Sequence, residues 1–529
     1  NISVTFSGGK GNMNSALRYL VITTACLFAF AQNGLAGTFS NLTSKFDRSL
    51  ATFDPIGKHI RAPIEKAIPR LKFSGSLKQS SDMLLEKKGN GGGLAEKDFR
   101  FLQLQNLLEV ETSYFIDHGL DINATAHVLY DGAYGWQGGT QLNADESNRN
   151  NEIYNNSERV LREFYLSYRK PKFDLKLGKQ QVAWGKMDGQ FIDIVNSMDR
   201  RESAQLESED YEYRRLPTWM ANATYYFRKT TVQALYIIDF EHDRNAAPGS
   251  PWGDTNLPTT THNVDLGVSR PKAGTFRDHQ YGLRIDRSTG GLTYGVVYMY
   301  AWDKNPVERV TGRATYLDDG VQKYSLKLKS RHERVHHIGA TADYATTIQN
   351  VPWVGNVPTV FRVEALYTNG VRVTDSDKRA AALSGTATDG TSKRDTLRAA
   401  VAIEFALPAR TTFIFQGSWY QTLNHKEGLG PALGGGIGDE WSLIPLVHVS
   451  RPFAFSKDRM KLEVTAFPLI SGSDTGWGGI KTKVRLRYQF SQFINGEFRY
   501  TGYDSGDSGD YYGHFNKYDN VGWELNYEF

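Results

Sequence analysis

The chain has 529 residues, with 62 Lys and Arg against 58 Asp and Glu, a formal net charge of +4 and a mean hydropathy of −0.48. This low hydropathy excludes a bundle of membrane-spanning helices. The near balance of charge argues against a nucleic-acid-binding protein, which would carry a basic stripe. Aromatic residues make up 12% of the chain, with 51 Gly, 17 Pro and one Cys. The composition favours a β-rich protein whose apolar residues are spread thinly.

The N-terminal region has the layout of a secretory signal. Residues 13–36 combine a charged start, an apolar run too short to span a bilayer and a small-residue cleavage site. Residues 1–12 precede the first Met and are interpreted as upstream translation. Cys26 lies inside the apolar run, so the mature chain would contain no Cys and no disulfide. We therefore expect an exported protein.

Residues 37–70 have a helical periodicity. Pro55 and Pro63 should kink or split such a helix. Three placements stay open: a lead-in on the rim of the following domain, a plug that fills its interior, or a helix at the membrane surface or at an oligomer interface. Apolar side chains recur every three or four residues, at Phe39, Leu42, Phe46, Leu50, Phe53, Ile56, Ile60, Ile64 and Ile68.

From Leu71 onwards the apolar period changes to two, which is the period of a strand with one apolar and one polar face. The alternation is clean over Leu292–Trp302 and Val484–Phe490. About 18 segments of this kind follow one another, each near the ~10 residues that a tilted membrane strand needs. We therefore predict an all-β fold over residues 71–529, a transmembrane antiparallel β-barrel of about 18 strands, with about 16 as the alternative count.

The predicted connections alternate in length. Short links such as Arg228–Thr230 alternate with long polar links such as Gly185–Pro217 and Asp303–Val335. Short periplasmic turns and long extracellular loops are typical of barrels in the bacterial outer membrane. The link Ile348–Pro358 departs from this pattern because it is long for a turn.

The C-terminal segment carries an assembly pattern. Its apolar residues at every second position, ending on a terminal Phe, resemble the assembly signal of bacterial outer-membrane barrels. The resemblance implies the barrel-assembly machinery as a partner, and outer-membrane lipid and lipopolysaccharide as the surroundings. Nucleic acid is not expected as a partner, and a homo-oligomer stays open. The signal residues are Trp523, Leu525, Tyr527 and Phe529.

The polar face of each strand is expected to line the interior. An Arg or Lys facing lipid at the bilayer midplane would cost ~2–4 kcal/mol, whereas facing water it costs little. The mixed charges predict ladders of opposite charge with one basic stretch. Two interpretations stay open: a generic solvated wall with ion pairs, and a selective site for anionic substrates. The pore-lining candidates are Lys483, Arg485, Arg487, Glu497, Arg499, Glu463, Arg398, Glu404, Arg362 and Glu364.

The link Gly185–Pro217 is the best candidate for a constriction. It mixes the apolar run Phe191–Val195 with many charged residues, and apolar residues in such a loop need a partner that the barrel mouth or lumen offers. A loop folded over the rim would have the same sequence. The candidate residues are Asp193, Asp199, Arg200 and Arg201.

Several segments resemble a known family. They are Leu177–Gly185, Asp193–Asp199, Leu216–Met220, Asp239–Glu241 and Pro248–Trp252. They are similar to a family of Gram-negative outer-membrane barrels of largely unassigned function. The resemblance implies a channel or substrate-uptake role, loosely associated with growth on hydrophobic compounds, and it implies no catalytic residue.

These observations predict a non-enzymatic, porin-like outer-membrane channel for diffusion or uptake of small solutes, with hydrophobic or anionic compounds as candidates. One alternative is a scaffold or sleeve for a partner such as an electron-transfer cytochrome. A hydrolase is a weaker alternative, because His448 would face inwards without evident catalytic partners. No cofactor is expected. His332, His336 and His337 could bind a metal but lack a clustered carboxylate or Cys, so no metal site is predicted.

Overall fold

The computed structural model describes residues 54–85, 101–135, 160–187, 192–200, 211–245, 264–430, 440–471, 476–505, 511–516 and 518–529. Within them, a closed antiparallel sheet of 18 long strands forms a barrel; a nineteenth member, Leu429–Gly430, only extends one hairpin. Strands pair in chain order, and the last pairs back onto the first, with Ser76 opposite Glu528 and Leu84 opposite Asn520. The predicted barrel and its count of 18 are confirmed.

The barrel strands are β1 Leu71–Leu84, β2 Phe101–Asp117, β3 Leu120–Asp131, β4 Leu161–Lys170, β5 Phe173–Gln180, β6 Thr218–Phe227, β7 Thr230–Ile237, β8 Gln280–Thr289, β9 Leu292–Trp302, β10 Arg334–Val351, β11 Gly355–Asp375, β12 Thr391–Leu407, β13 Thr411–Leu423, β14 Trp441–Pro452, β15 Met460–Ser471, β16 Gly479–Gln489, β17 Ile494–Asp504 and β18 Asn520–Glu528. Further strands lie in the connections: Ser197–Arg200, Arg215–Leu216, Arg244–Asn245, Val264–Ser269, Val307–Asp318 and Val321–Arg331. The helices are Gly57–Arg61, Ala62–Ala67, Gly132–Gly135, Tyr211–Arg214, Phe276–Asp278, Ser376–Leu383, Pro408–Arg410, Ala454–Ser456 and Tyr511–Phe515.

The two ends of the barrel carry connections of different length. At one end, here called the turn end, the connections range in length from the two residues 118–119 to the seven residues 453–459. At the other end, here called the loop end, they range from the seven residues 472–478 to the 42 residues 238–279. β1 begins and β18 ends at the turn end. Long connections therefore collect at one end of the barrel.

The link predicted to be long, Ile348–Pro358, is a tight turn. β10 continues to Val351 and β11 begins at Gly355, with Ile348 opposite Val357. Asn, Pro and Gly interrupt the alternation in this segment and so conceal the strand ends.

The two faces of the wall differ in character. Most of the large apolar side chains that are exposed on the barrel strands lie on the outward face, among them Leu77 at 41%, Val296 at 55%, Val401 at 53%, Phe498 at 55% and Leu525 at 49% exposure. The alternate positions of the same strands face inwards and carry the charged residues. This is the arrangement of a barrel whose outside contacts lipid.

The helical periodicity before β1 is confirmed for residues 57–67, which form two short consecutive helices. The Tyr527 hydroxyl donates to Asp54 Oδ1 at 2.7 Å, and the Phe73 N–H donates to Glu65 Oε1 at 3.1 Å. Both contacts attach the segment to the turn end of β1 and β18. Residues 1–53 lie outside the described part, so the signal peptide and the lead-in or plug role stay predictions.

Among the described residues, no helix is both long and apolar enough to cross a membrane.

Candidate functional site

The connection that follows β5 turns into the barrel. Val182, Trp184, Ile192, Ile194 and Val195 are buried in one apolar cluster. The cluster is completed by inward-facing side chains of the wall, namely Met220, Leu235, Ile237, Val297, Met299, Ala301 and Leu366. We call residues 181–200 the inner loop; residues 188–191 of it lie outside the described part. Its apolar residues are covered by an apolar patch of the wall.

Four of the five segments that carry the family resemblance meet around the inner loop; the fifth, Pro248–Trp252, lies outside the described residues. Asn196 Oδ1 accepts the Val182 N–H at 2.7 Å, and Asn196 Nδ2 donates to the Leu216 carbonyl at 3.0 Å. The Ser197 hydroxyl donates to the Glu241 carbonyl at 2.6 Å. These bonds join four segments that are separated in sequence, and they fix the path of the loop.

Polar contacts attach the loop to the wall. Trp184 Nε1 donates to Gln233 Oε1 at 2.8 Å, and the Lys186 N–H donates to Glu364 Oε1 at 2.7 Å. The Lys186 ammonium pairs with Asp343. The loop is therefore held at wall positions that range from β7 to β11.

Asp193 forms a buried ion pair at the centre of the loop. Its Oδ2 lies 2.7 Å from Arg215 Nη2, and both side chains are largely buried. Burial raises the pKa of the Asp193 carboxyl, and the adjacent Arg215 guanidinium opposes that rise. Arg215 thus stabilises a charge that burial would otherwise penalise.

The other constriction candidates have different surroundings. Asp199 and Arg200 lie on the short strand Ser197–Arg200, which pairs in parallel with Arg244–Asn245, and Arg200 Nε lies 3.5 Å from Asp243 Oδ2. Arg201 lies outside the described residues. The structure does not gather these residues into one charged ring.

A ladder of ion pairs crosses the inward face of β15 to β18. Glu463 Oε2 lies 2.8 Å from Arg485 Nη2 and 3.5 Å from Arg487 Nε, and Arg487 Nε lies 2.7 Å from Glu497 Oε2. Arg499 Nη1 lies 3.8 Å from Glu497 Oε1. The predicted basic stretch is therefore interleaved with carboxylates.

The remaining pore-lining candidates lie on β11, β12 and β16. Arg362 Nη1 donates to Glu404 Oε2 at 2.6 Å. The Arg398 guanidinium lies 5.9 Å from the centre of the Tyr420 ring. Lys483 is buried opposite Thr465 and Thr501. All three strands turn these residues to the inward side.

Much of this wall is buried rather than bathed in water. Glu463, Arg485 and Glu364 are 3%, 5% and 3% exposed. The cause is visible at two places: the inner loop covers Glu364, and the segment Tyr511–Phe515 packs into the loop end of the lumen with Tyr503 and Leu469. The two interpretations of the wall, a solvated wall with ion pairs and a selective site for anionic substrates, both stay predictions.

The three histidines considered for metal binding point to different partners. The His336 ring bonds the Tyr298 hydroxyl, His337 bonds the Thr368 hydroxyl, and His332 bonds the Asp303 carbonyl. Burial lowers the pKa of His332 to about 4, so its ring is neutral near pH 7. Within the described part of the chain, no group of three or more His, Cys, Asp or Glu is arranged to hold a metal.

Sequence reasoning missed several residues that hold the ladder at its end. The apolar alternation predicts a first strand over Leu71–Leu77, whereas β1 continues seven residues further to Leu84, and Ser80 and Asp82 of this extension bind Arg499. Of the outward positions of the extension, Gln79 and Ser81 are polar and only Met83 is apolar, so the apolar alternation stops at Leu77. The polar face of the strand continues at the even positions Lys78, Ser80 and Asp82, and this pattern could have indicated that β1 extends beyond Leu77.

The Asn196→Ala variant is expected to loosen the inner loop. Asn196 is 3% exposed, and its removal leaves the Val182 N–H and the Leu216 carbonyl buried without partners. Each unsatisfied group costs about 1–3 kcal/mol, so amide exchange at Val182 should accelerate about tenfold or more. Exchange followed by mass spectrometry measures this. Asn369→Ala, which removes an exposed bond to Asp395, should leave Val182 unchanged.

Comparison with known proteins gives one family match. The profile of a family described as "Protein of unknown function (DUF1302)" matches residues 95–529. No curated protein matches the chain.

Several solved structures are similar in outline. OccAB4 of Acinetobacter baumannii is 10% identical with a TM-score of 0.46, over 87% of this chain and 98% of that chain. The outer membrane protein OpdK of Pseudomonas aeruginosa is 10% identical with a TM-score of 0.47, and OccK9 (OpdG) of the same organism is 9% identical with a TM-score of 0.48; each comparison covers 87% of this chain and 98% of that chain.

Proposed function

We propose that this chain, which belongs to the DUF1302 family, is a non-enzymatic channel of the bacterial outer membrane that conducts small solutes through its lumen. The observation that carries the proposal is the contrast between the faces of a closed barrel. Apolar side chains are exposed on the outside, and charged side chains face inwards on the same strands. Such a wall is stable between lipid outside and an aqueous path inside.

The inner loop is the proposed constriction. It projects from the wall between β5 and β6 and is held by bonds to Gln233 and Glu364. Solutes would pass between this loop and the ion-pair ladder of β15 to β18. We propose that small solutes pass along the axis, with hydrophobic or anionic compounds as the candidates; the exposed guanidinium of Arg487 supports an anionic solute.

Planar-bilayer recording of the purified protein tests the proposal. We expect discrete current steps from the folded barrel. Arg487, whose side chain is 45% exposed, contributes a positive charge to the lumen, so Arg487→Gln should shift the reversal potential in a salt gradient towards cation preference. An Arg410→Gln control removes an exposed charge from the turn end and should leave the reversal potential unchanged.

The absence of current steps from correctly folded barrel would contradict a channel and favour a sleeve around a partner protein.

The proposed surroundings are outer-membrane lipid and lipopolysaccharide, and the proposed assembly partner is the barrel-assembly machinery. Trp523 and Leu525 are exposed on the outward face of β18, where such a partner could contact them, whereas Phe529 is buried against Phe73.

A further inference from the structure

The pairing between β14 and β15 is interrupted in mid-strand. Leu443 pairs with Ile470, and pairing resumes at Val447 with Ala466 in the same register. Three successive residue pairs between these points are missing. Among the described pairs of barrel strands, all the remaining interruptions are accompanied by a shift of register. The interruption between β14 and β15 therefore has a different cause.

The cause lies in two prolines that face each other. The constant register sets Pro445 opposite Pro468 at the centre of the lapse. Neither residue has an N–H, so the two hydrogen bonds that such a pair could exchange cannot form. We call this part of the wall, residues 444–446 and 467–469, the proline gap.

The proline gap is the place where separating two strands costs least. In hydrocarbon, each backbone N–H or C=O left without a partner costs several kcal/mol. Elsewhere in the barrel, parting two strands would orphan N–H and C=O groups on both sides. At the proline gap no ladder bond has to be broken over three residue pairs.

The inward side of the proline gap is apolar. Ile444, Leu446, Phe467 and Leu469 face the lumen and are 4%, 2%, 4% and 1% exposed. Ile444 and Leu469 belong to an aromatic-rich cluster at the loop end with Tyr503, Tyr512, Phe515 and Tyr518. Charged residues occupy the inward face of β15 closer to the turn end. An apolar ligand in the lumen would therefore be accommodated best beside this gap.

The outward side is open. Gly417 of β13 lies opposite Pro445, and a Cβ added to it would meet no atom within 4 Å. Trp419 and Trp441 stack with ring centres 4.9 Å apart on the outward face towards the loop end. Aromatic side chains mark the membrane interface of barrels. Ile444 is three residues past Trp441, about 10 Å along the strand, so the gap lies at the depth of the outer leaflet.

We propose that the proline gap is a lateral exit, through which an apolar or weakly amphipathic molecule that has entered the lumen passes between β14 and β15 into the outer leaflet. The proposal extends the channel function, because it supplies a second route out of the lumen and the class of ligand that takes it. Ile444, Leu446, Phe467 and Leu469 close the exit in the resting barrel.

A reversible cross-link across the gap tests the exit. Ile444→Cys with Leu469→Cys, in a Cys26→Ser background, places two thiols at opposed positions. The probe is N-phenyl-1-naphthylamine, which intact lipopolysaccharide excludes and which fluoresces on entering lipid. In cells that express the protein, we expect the oxidised variant to take up the probe at least tenfold more slowly than the same variant after reduction.

Two further variants keep the test decisive. Phe415→Cys with Val447→Cys cross-links the uninterrupted pairing of β13 and β14 and should not change uptake on oxidation. Pro445→Val with Pro468→Val restores both N–H donors and should slow uptake without any cross-link. Equal uptake by the oxidised and reduced gap variant, or no uptake above cells lacking the protein, would overturn the proposal.

Conductance of the same proteins separates the two functions. Current steps that persist in the oxidised variant while uptake is lost would support a lateral route distinct from the axial one. Absence of steps in every variant, with uptake still sensitive to the cross-link, would contradict the axial channel and leave the lateral exit supported.

Discussion

Replacing Arg499 with Met is expected to lower the free energy of unfolding of the barrel by about 3–5 kcal/mol, because it leaves a buried carboxylate without its partner. Arg499 Nε and Nη2 donate to the two oxygens of Asp82 at 2.8 and 2.9 Å, and Nη2 also donates to the Ser80 hydroxyl. Arg499 lies on β17 and Asp82 on β1, so this ion pair spans β18 and braces the seam where the barrel closes.

Gly522 makes room for this brace. It lies on β18 between the two partners, opposite both Asp82 and Arg499. A Cβ at this position would lie 2.1 Å from Asp82 Oδ1 and 2.7 Å from Arg499 Nε, so any larger residue would displace the ion pair.

Unfolding in urea, followed by the shift in electrophoretic mobility of the folded barrel, measures the loss. The double variant Asp82→Asn with Arg499→Met removes both charges and should recover part of the lost stability. Arg487→Met is the matched control, since its side chain is 45% exposed and should cost far less. Equal losses from Arg487→Met and Arg499→Met would contradict a special role for the seam.

Replacing Trp184 with Ala is expected to release the inner loop. The indole is 1% exposed within the apolar cluster, and its Nε1 donates to Gln233. Truncation leaves a large cavity and an unpaired Gln233 oxygen, at a cost of about 3–5 kcal/mol. A loop that leaves the wall no longer holds a fixed constriction, so we expect single-channel currents that are larger on average and noisier.

Single-channel recording and urea unfolding of the same preparation check both effects. Trp219→Ala is the control: Trp219 is 38% exposed on the outward face of β6 and does not belong to the loop cluster. Its loss should leave the current amplitude unchanged. A Trp184→Ala protein with the wild-type amplitude and noise would contradict the constriction.

The barrel could be predicted from the sequence because its signal is local. The side chains of each strand face lipid and lumen in turn, so an apolar residue at every second position, as at Tyr294, Val296 and Tyr298, indicates the face that contacts lipid. The ends of the strands are harder to predict where this alternation stops. Residues 78–84 have Met83 as their single outward apolar side chain, and residues 348–358 combine strand with Pro and Gly.

The candidate site, which comprises the ion-pair ladder and the inner loop, could be predicted from the sequence only in part. Parity placed the charged residues of β15 to β18 on the inward side, but parity does not reveal which carboxylate meets which guanidinium. The pairing of Arg499 with Asp82 joins residues 417 positions apart, and no local pattern encodes it. The apolar run of the inner loop indicated a buried partner, whereas its attachment to Gln233, Asp343 and Glu364 depends on tertiary contact.

The seam between β1 and β18 also fixes the order in which the barrel can assemble. Every other neighbouring pair of the 18 joins strands consecutive in the chain, so each can form as a hairpin or by simple addition. The seam pairs the first strand of the barrel with the last, so the loop-closure entropy of this pairing is lost in one step, when the barrel closes. Until then both edge strands expose unpaired backbone groups. We therefore expect the seam to close last, and we expect a chain that lacks β18 to keep two open edges.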